Sequence, residues 1–307
     1  MLTVDVGIRT CETPGMDHKR HHWVPKSYLD AWIDPESPAS REPYVWVFTK
    51  EGKPLDHSAT PKLFHKRDLY TIRRSDGQRD LSIETKLLRT IEYNFVAVRD
   101  KILQGKSLAT QDRLHLCAFA AGMRGRTLPA VKDVASAFQD AKDQIERIAT
   151  ASHRQYGSPD QTDPLASLKD DPLYAEVHRM ASAPAVPWVV ASLRCHVPVL
   201  ANMRLAVLHT DDDLGFITSD NPCVLFDPDL ATYPMLYRAP QLGSPGAEVT
   251  LPLSPRACAL FTWSSRDDTR PISPEVALLI NRRTCGASDA RVVVCRREFR
   301  PGWRPND

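Results

Sequence analysis

The chain has no C-x-x-C pair, no glycine-rich phosphate loop, no long unbroken apolar run and almost no excess of charge of either sign. Each absence excludes a class of protein. The seven cysteines (Cys11, Cys117, Cys195, Cys223, Cys258, Cys285 and Cys295) are odd in number and scattered. That pattern fits reduced thiols better than a disulfide framework or a zinc knuckle, and it points to the cytoplasm. A spanning helix needs about 18 consecutive apolar residues, and residues 1–20 lack the continuous apolar stretch of a secretory signal, so neither membrane insertion nor export is expected. With 40 Lys+Arg against 38 Asp+Glu the net charge is +2, too small for a global field that would gather nucleic acid or an anionic membrane. A nucleic-acid partner would need a local patch. The G-x-x-x-x-G-K-[ST], G-x-G-x-x-G, H-E-x-x-H and G-x-S-x-G patterns are all missing, which removes the usual support for nucleotide-loop, Rossmann, zincin and serine-hydrolase readings.

What is present is enough apolar material, 42% of 307 residues, for a substantial core. Residues 1–15 show no sustained period and read as a flexible extension before a single domain over 16–307. "PYVWVFT" at 43–49 reads as a strand, with "DLYTIRR" at 68–74 as its expected partner. From Ser82 the period changes, and Ile83, Leu87, Ile91, Phe95, Val98 and Ile102 form one apolar stripe of a helix. A second helix follows Thr110, with small residues that permit close approach of another element. A third follows Thr127 and Pro129, so the helical region spans 82–155. Residues 157–172 have the composition of an exposed loop, and a shorter helix is expected near 173–182. Two hairpins are expected from 203 onward, "MRLAVLHT" with "FITS" and "EVTLPL" with "CALFTW". Ser273 and Pro274 open a helix, and "ARVVVCRREF" gives a final strand. Strands in N- and C-terminal blocks around helices imply an α+β fold, with antiparallel sheets packed against a central helical layer.

Three constellations can carry chemistry. In "KRHHWVPKSYL" the neighbouring His21 and His22 would face opposite sides of a strand, so one packs inward and one is left for a site. A metal there would need a further ligand from elsewhere. In "FITSDNP" a strand ends in Ser219, Asp220 and Asn221, where Asp220 suits a metal ligand or a water-activating base and Asn221 a substrate-orienting donor. The bland alternative is an Asx-turn. On the helices, Glu84 and Glu92 lie eight residues apart, about 80° around the axis and about 12 Å along it, and they flank the apolar stripe. Arg124 and Arg126 at a helix C-terminus suit either the helix dipole or a phosphate.

"HHWVP" resembles the first element of His-Asn-His nucleases, but no Asn follows until Asn94. The ordered set "HHWVPKSYLDAW", "PYVWVFTKEGK", "KLFHKRDLYT", "IETKLLRTIE", "RGRTLP", "FITSDNP" and "LPLSP" resembles the bacterial proteins grouped as domain of unknown function 4238 (DUF4238), from about residue 17 to 295. The resemblance implies one compact fold and no activity, and it gives a reason to group His21, His22, Glu84, Arg126, Asp220 and Asn221. The resulting expectation is a metal-dependent hydrolase of phosphodiesters, nuclease-like. His21, His22, Asp220 and Glu84 are its catalytic candidates, and His22 with Asp220 would bind a divalent ion. Arg124, Arg126, Ser219 and Asn221 would meet the substrate. Arginine supplies 28 of the 40 basic residues, and "RREFRPGWR" at 296–304 is a candidate patch for nucleic acid. The alternative is a non-catalytic protein-binding or regulatory module.

Overall fold

The computed structural model describes residues 20–73, 76–156, 167–232, 241–264 and 266–304, so the expected extension at 1–15 lies outside the described residues. The chain opens with strand β1 (Arg20–His22) and a short helix α1 (Lys26–Leu29). Strands β2 (Tyr44–Thr49), β3 (Pro54–Ala59), β4 (His65–Arg67), β5 (Ile72–Arg73) and β6 (Arg79–Asp80) follow. The helical block begins with a π-helical stretch, Ile83–Leu88, which runs into α2 (Arg89–Leu103). It continues through α3 (Thr110–Arg126), α4 (Leu128–Tyr156), α5 (Pro172–Ser182) and α6 (Ala185–Asn202). The C-terminal block holds β7 (Arg204–His209), β8 (Thr218–Ser219), β9 (Val224–Phe226), β10 (Glu248–Ser254), β11 (Ala257–Thr262), β12 (Asp268–Pro271), α7 (Pro274–Ala287) and β13 (Arg291–Val294). This is an α+β fold with strands at both ends of the chain and helices between, as the change of period predicts.

Two sheets carry the core. The first has the order β12-β7-β11-β10-β9, antiparallel except where β12 runs parallel to β7. The second, β3-β2-β13-β8, is wholly antiparallel and joins the two ends of the chain, since Val292 pairs with Phe48 on one side and Ser219 on the other. Val292, Val293 and Val294 are completely buried, as a central strand of β-branched residues demands.

Several pairings differ from expectation. The partner of 44–49 is the adjacent segment 54–59, reached through the Gly52 turn, while among the described residues Ile72–Arg73 pairs only with Arg79–Asp80. "MRLAVLHT" does not hairpin with "FITS". β7 enters the first sheet beside β11, and β8 goes to the second. The segment between Pro184 and Asn202 is helical throughout. Pro187 falls in the first turn, where a missing N–H costs nothing, and only Pro198 lies in the interior. Residues 157–166 of the expected loop lie outside the described residues. The remainder makes a single 3₁₀ turn at Leu168–Asp170, and Asp171 caps α5 by accepting from the Leu173 N–H.

The helices dock through small side chains. Along α3, Ala120 and Ala121 are completely buried, and a Cβ added at Gly125 would sit 2.6 Å from Cβ of Ser192 on α6. The aromatic positions of "HHWVPKSYLDAW" bind the N-terminus to both layers. The Tyr28 hydroxyl donates to the Pro252 carbonyl at 2.8 Å and lies 2.9 Å from Thr218 Oγ1, while Trp32 Nε1 donates to the Phe216 carbonyl at 2.8 Å. Tyr28 also packs against Phe95 and Phe119, whose rings stack 3.6 Å apart. The motif is therefore in large part a packing motif.

Candidate functional site

Strand alternation separates the two histidines. His21 is 1% exposed, and its Nδ1 accepts the Tyr70 backbone N–H at 2.9 Å while its ring stacks on the Tyr70 ring. Its surroundings are those of a core residue. His22 points the other way and stays half-buried. Its Nε2 donates to the Pro61 carbonyl at 3.2 Å, which fixes the tautomer and leaves Nδ1 with the lone pair. Burial is the main force lowering the His22 pKa, and nearby His65 and Arg126 add to it. In the β1–β4 pair His22 stands directly opposite His65, ring centroids 5.6 Å apart. β4 is held between two non-glycine residues with left-handed backbone, Phe64 (φ 51°) and Asp68 (φ 57°). For a buried phenylalanine that conformation costs on the order of 1 kcal/mol, and such strain gathers where a side chain must be aimed.

The carboxylates come from the start of the helical block. An α-helix would leave Glu84 and Glu92 about 80° apart, but i→i+5 bonding across Ile83–Leu88 turns the chain less per residue and brings the two positions toward one face. They are close enough for the charge of Glu92 to raise the proton affinity of Glu84. Glu92 Oε1 accepts from Arg126 Nη1 at 2.7 Å. Glu84 has no such partner, and its Oε2 is buried with no hydrogen bond. Burial first, then the charge of Glu92, push Glu84 up from 4.5 to about 7 against the opposing pull of Arg126. One carboxyl is thus held by an arginine, and its neighbour Glu84 is poised to gain or lose a proton near neutrality.

Arg126 is 1% exposed, so it does not meet a substrate as the sequence suggests. It acts on the site through Glu92. Its Nη2 donates to Met123 Sδ at 3.2 Å, its guanidinium lies over the Phe119 ring, and its backbone carbonyl accepts the Tyr70 hydroxyl at 3.1 Å. Through Tyr70, the buried His21 supports the same corner. Arg124 faces elsewhere on α3, beside His196 and Cys223.

Ser219, Asp220 and Asn221 make a different structure. Asp220 Oδ1 accepts from the Asp289 N–H at 2.8 Å, and Oδ2 from the N–H groups of Ala290 and Arg291 at 2.8 and 3.0 Å. Burial outweighs these three bonds and raises the Asp220 pKa. Ser219 Oγ accepts the Asn221 N–H, and Asn221 Nδ2 donates to the Ala287 carbonyl at 3.0 Å. The segment is a clasp holding β8 to the turn between α7 and β13. His22 interacts with Pro61, His65, Glu92 and Arg126, and this set shares no member with the contacts of Asp220. The expected His22–Asp220 metal pair therefore does not fit: three backbone amides occupy the carboxylate. Among the described residues no group of three or more His, Cys, Asp or Glu side chains is arranged to hold a metal ion.

A model of the family described as "Protein of unknown function (DUF4238)" matches residues 20–298. The chain belongs to this family. No curated protein and no solved structure matches it. Within this DUF4238 chain, His65 and Tyr70 join the site without having been expected there, and Glu92, weighed together with Glu84, joins it beside that residue. His65 could have been found from the β1–β4 register, and the closeness of Glu92 to Glu84 had the π turn been readable. Tyr70 carries no local signal. Cys117, Cys195, Cys223, Cys258 and Cys295 are free thiols, and no single helix among the described residues is long and apolar enough to cross a membrane.

Proposed function

We propose that the chain is a hydrolase in which Glu84 moves the proton, with a phosphodiester as substrate. The observation that carries this is the Glu84 carboxyl, raised to about 7 with its Oε2 buried and without a hydrogen bond, beside a Glu92 held by Arg126. A carboxyl whose proton affinity lies near neutrality is what general acid–base catalysis at neutral pH requires. Glu84 takes a proton from water as the water attacks phosphorus, and returns it to the leaving oxygen. His22 and His65 line the approach. Arg126 holds Glu92 by a hydrogen bond and pulls the proton affinity of Glu84 down against burial and the charge of Glu92. Arg296 and Arg297 at the C-terminus are exposed and supply the local positive surface that a nucleic-acid substrate needs, whereas Arg300 is already paired with Asp212.

The proposal takes no step through a metal. The test is hydrolysis of bis(p-nitrophenyl) phosphate, single-stranded DNA and RNA by wild type and Glu84→Gln, each with EDTA and with added Mg²⁺ or Mn²⁺. Loss of about 10²-fold or more in Glu84→Gln supports the assignment. Equal rates in the two proteins remove Glu84. Activity that appears only with added metal returns a divalent ion to the mechanism. The second reading, a binding module, draws on α4: none of its 29 residues is buried, and Ile148 is 50% exposed. An inactive wild type on all three substrates would favour it.

A further inference from the structure

On α3, Arg124 stands two residues before Arg126, about 200° around the axis, so it faces away from the Glu84 pocket. Its guanidinium is almost entirely buried, its Nε has no hydrogen-bond partner, and among the described residues no carboxylate pairs with it. The charged group nearest in effect is no anion: Cys223 beside it is a fully buried thiol raised to about 12, hence neutral. A buried unpaired cation is costly, and folded proteins resolve the cost with a counter-charge.

His196, which feels the charge of Arg124, lies on one face of α6. Trp188, Ser192 and His196 follow at four-residue intervals, and the Gly125–Ser192 contact fixes this face against α3. Trp188 Nε1 is also buried without a partner, and its ring stands edge-on to the His196 ring at 6.4 Å. The Ser192 hydroxyl donates to the Ala121 carbonyl at 3.2 Å, which uses its only hydrogen. It must then accept from His196 Nδ1–H at 2.9 Å, and His196 Nε2 is left as a bare acceptor. Burial and the charge of Arg124 pull His196 down to about 4, which keeps that acceptor unprotonated. Arg124, Trp188 and His196 as whole residues are each only half-buried, so the cluster is not sealed in the core.

We propose that Arg124, Trp188 and His196 bind a hydrogen phosphate group, either free or as a phosphomonoester. Such a group offers charged oxygens to the guanidinium and the indole N–H, and hydrogen phosphate in addition offers a P–OH to a neutral imidazole. A carboxylate satisfies the two donors and leaves Nε2 facing an acceptor, so phosphate is preferred over acetate. A monoester dianion reaches Nε2 only in its protonated form, which favours the free ion. The site does not depend on the hydrolase reading.

The test is calorimetric titration of the full chain with inorganic phosphate, glycerol 3-phosphate and acetate, together with the indole N–H resonance of Trp188, assigned with Trp188→Phe. Expected are one saturable phosphate site, a shift of the Trp188 resonance, and binding at least about tenfold weaker in Arg124→Met. Glu84→Gln should bind phosphate as wild type does, so failure of one site is read apart from failure of the other. Tighter binding of glycerol 3-phosphate than of phosphate assigns the monoester as ligand, and the reverse order assigns the free ion. No phosphate binding, an unmoved Trp188 resonance, equal affinity in a folded Arg124→Met, or acetate binding as tightly as phosphate overturns the proposal. If Arg124→Met does not fold, the wild-type resonance and the acetate comparison still decide.

Discussion

Glu84 and Glu92 share one pocket, but the hydrogen bond from Arg126 goes to Glu92, at 2.7 Å. The carboxyl without a partner becomes the one whose charge changes near pH 7.

This difference should appear in stability. Below about pH 4.5 the Glu84 carboxyl is protonated in both folded and unfolded chains. Between 4.5 and about 7 the folded protein retains a proton that the unfolded chain releases. The stability Glu84 contributes as a neutral acid is therefore lost as pH rises through that window, by a total of about 3 kcal/mol. Glu84→Gln, neutral throughout, should match wild type near pH 4 and exceed it at pH 8. Urea unfolding of both proteins at the two pH values measures this, and a constant difference would rule out the raised proton affinity.

Rate against pH gives an independent reading. With Glu84 as general base, kcat/KM should climb through about pH 7 and level off above it. Glu84→Gln should lose that limb along with about 10²–10⁴ in rate. A profile that keeps its inflection in the variant assigns the titration to another group.

Removing the partner of Glu92 has a structural cost. Arg126→Met leaves a half-buried carboxylate unpaired and should destabilise the fold by about 2–4 kcal/mol. Arg126→Met combined with Glu92→Leu should recover part of the loss, since both charges are then gone. A double variant less stable than the sum of the singles would contradict this account of the pair.

Asp220 should behave as a structural residue. An asparagine there presents one acceptor and one donor to three backbone N–H groups, so Asp220→Asn should cost about 1–3 kcal/mol. The folded variant should keep its wild-type kcat. A folded Asp220→Asn with kcat down a hundredfold would restore Asp220 to the chemistry.

Contact between α3 and α6 is tight enough to test with one methyl. Gly125→Ala places a Cβ 2.6 Å from Ser192 Cβ and should lower stability by about 1–3 kcal/mol, seen as a lower thermal midpoint. Ala120 and Ala121 bury their side chains in the same layer. An unchanged midpoint would mean the two helices can separate freely.

Local signals were readable where the physics is local. Ser273 with Pro274 marks the start of α7, the 248–262 hairpin closes on itself, and alternation alone separates His21 from His22. The misses depend on distant partners or on departures from regular geometry. The sequence of β2 suits a strand, but its neighbour β13 lies more than 240 residues away and nothing near 44–49 announces it. Pro184 and Pro187 read as interruptions of the helix near 173–182, yet they stand at the start of α6, Pro184 just before its first residue and Pro187 in its first turn. For the site, residue types were legible and distances were not. A regular helix sets Glu84 and Glu92 apart until the π turn is known, and "SDN" reads equally as chemistry or clasp until the amides of 289–291 are in place.

The position of β13 also sets an order of events during synthesis. The β2–β3 hairpin leaves the ribosome early, but the strand that covers its open edge is made last, at 291–294. Until then the nascent chain exposes an unsatisfied edge rich in Val, Trp and Phe, a template for pairing with other chains. Emergence of β13, rather than growth of any single hairpin, is the moment at which this edge is protected, and a translation stall between β3 and β13 is where aggregation should begin.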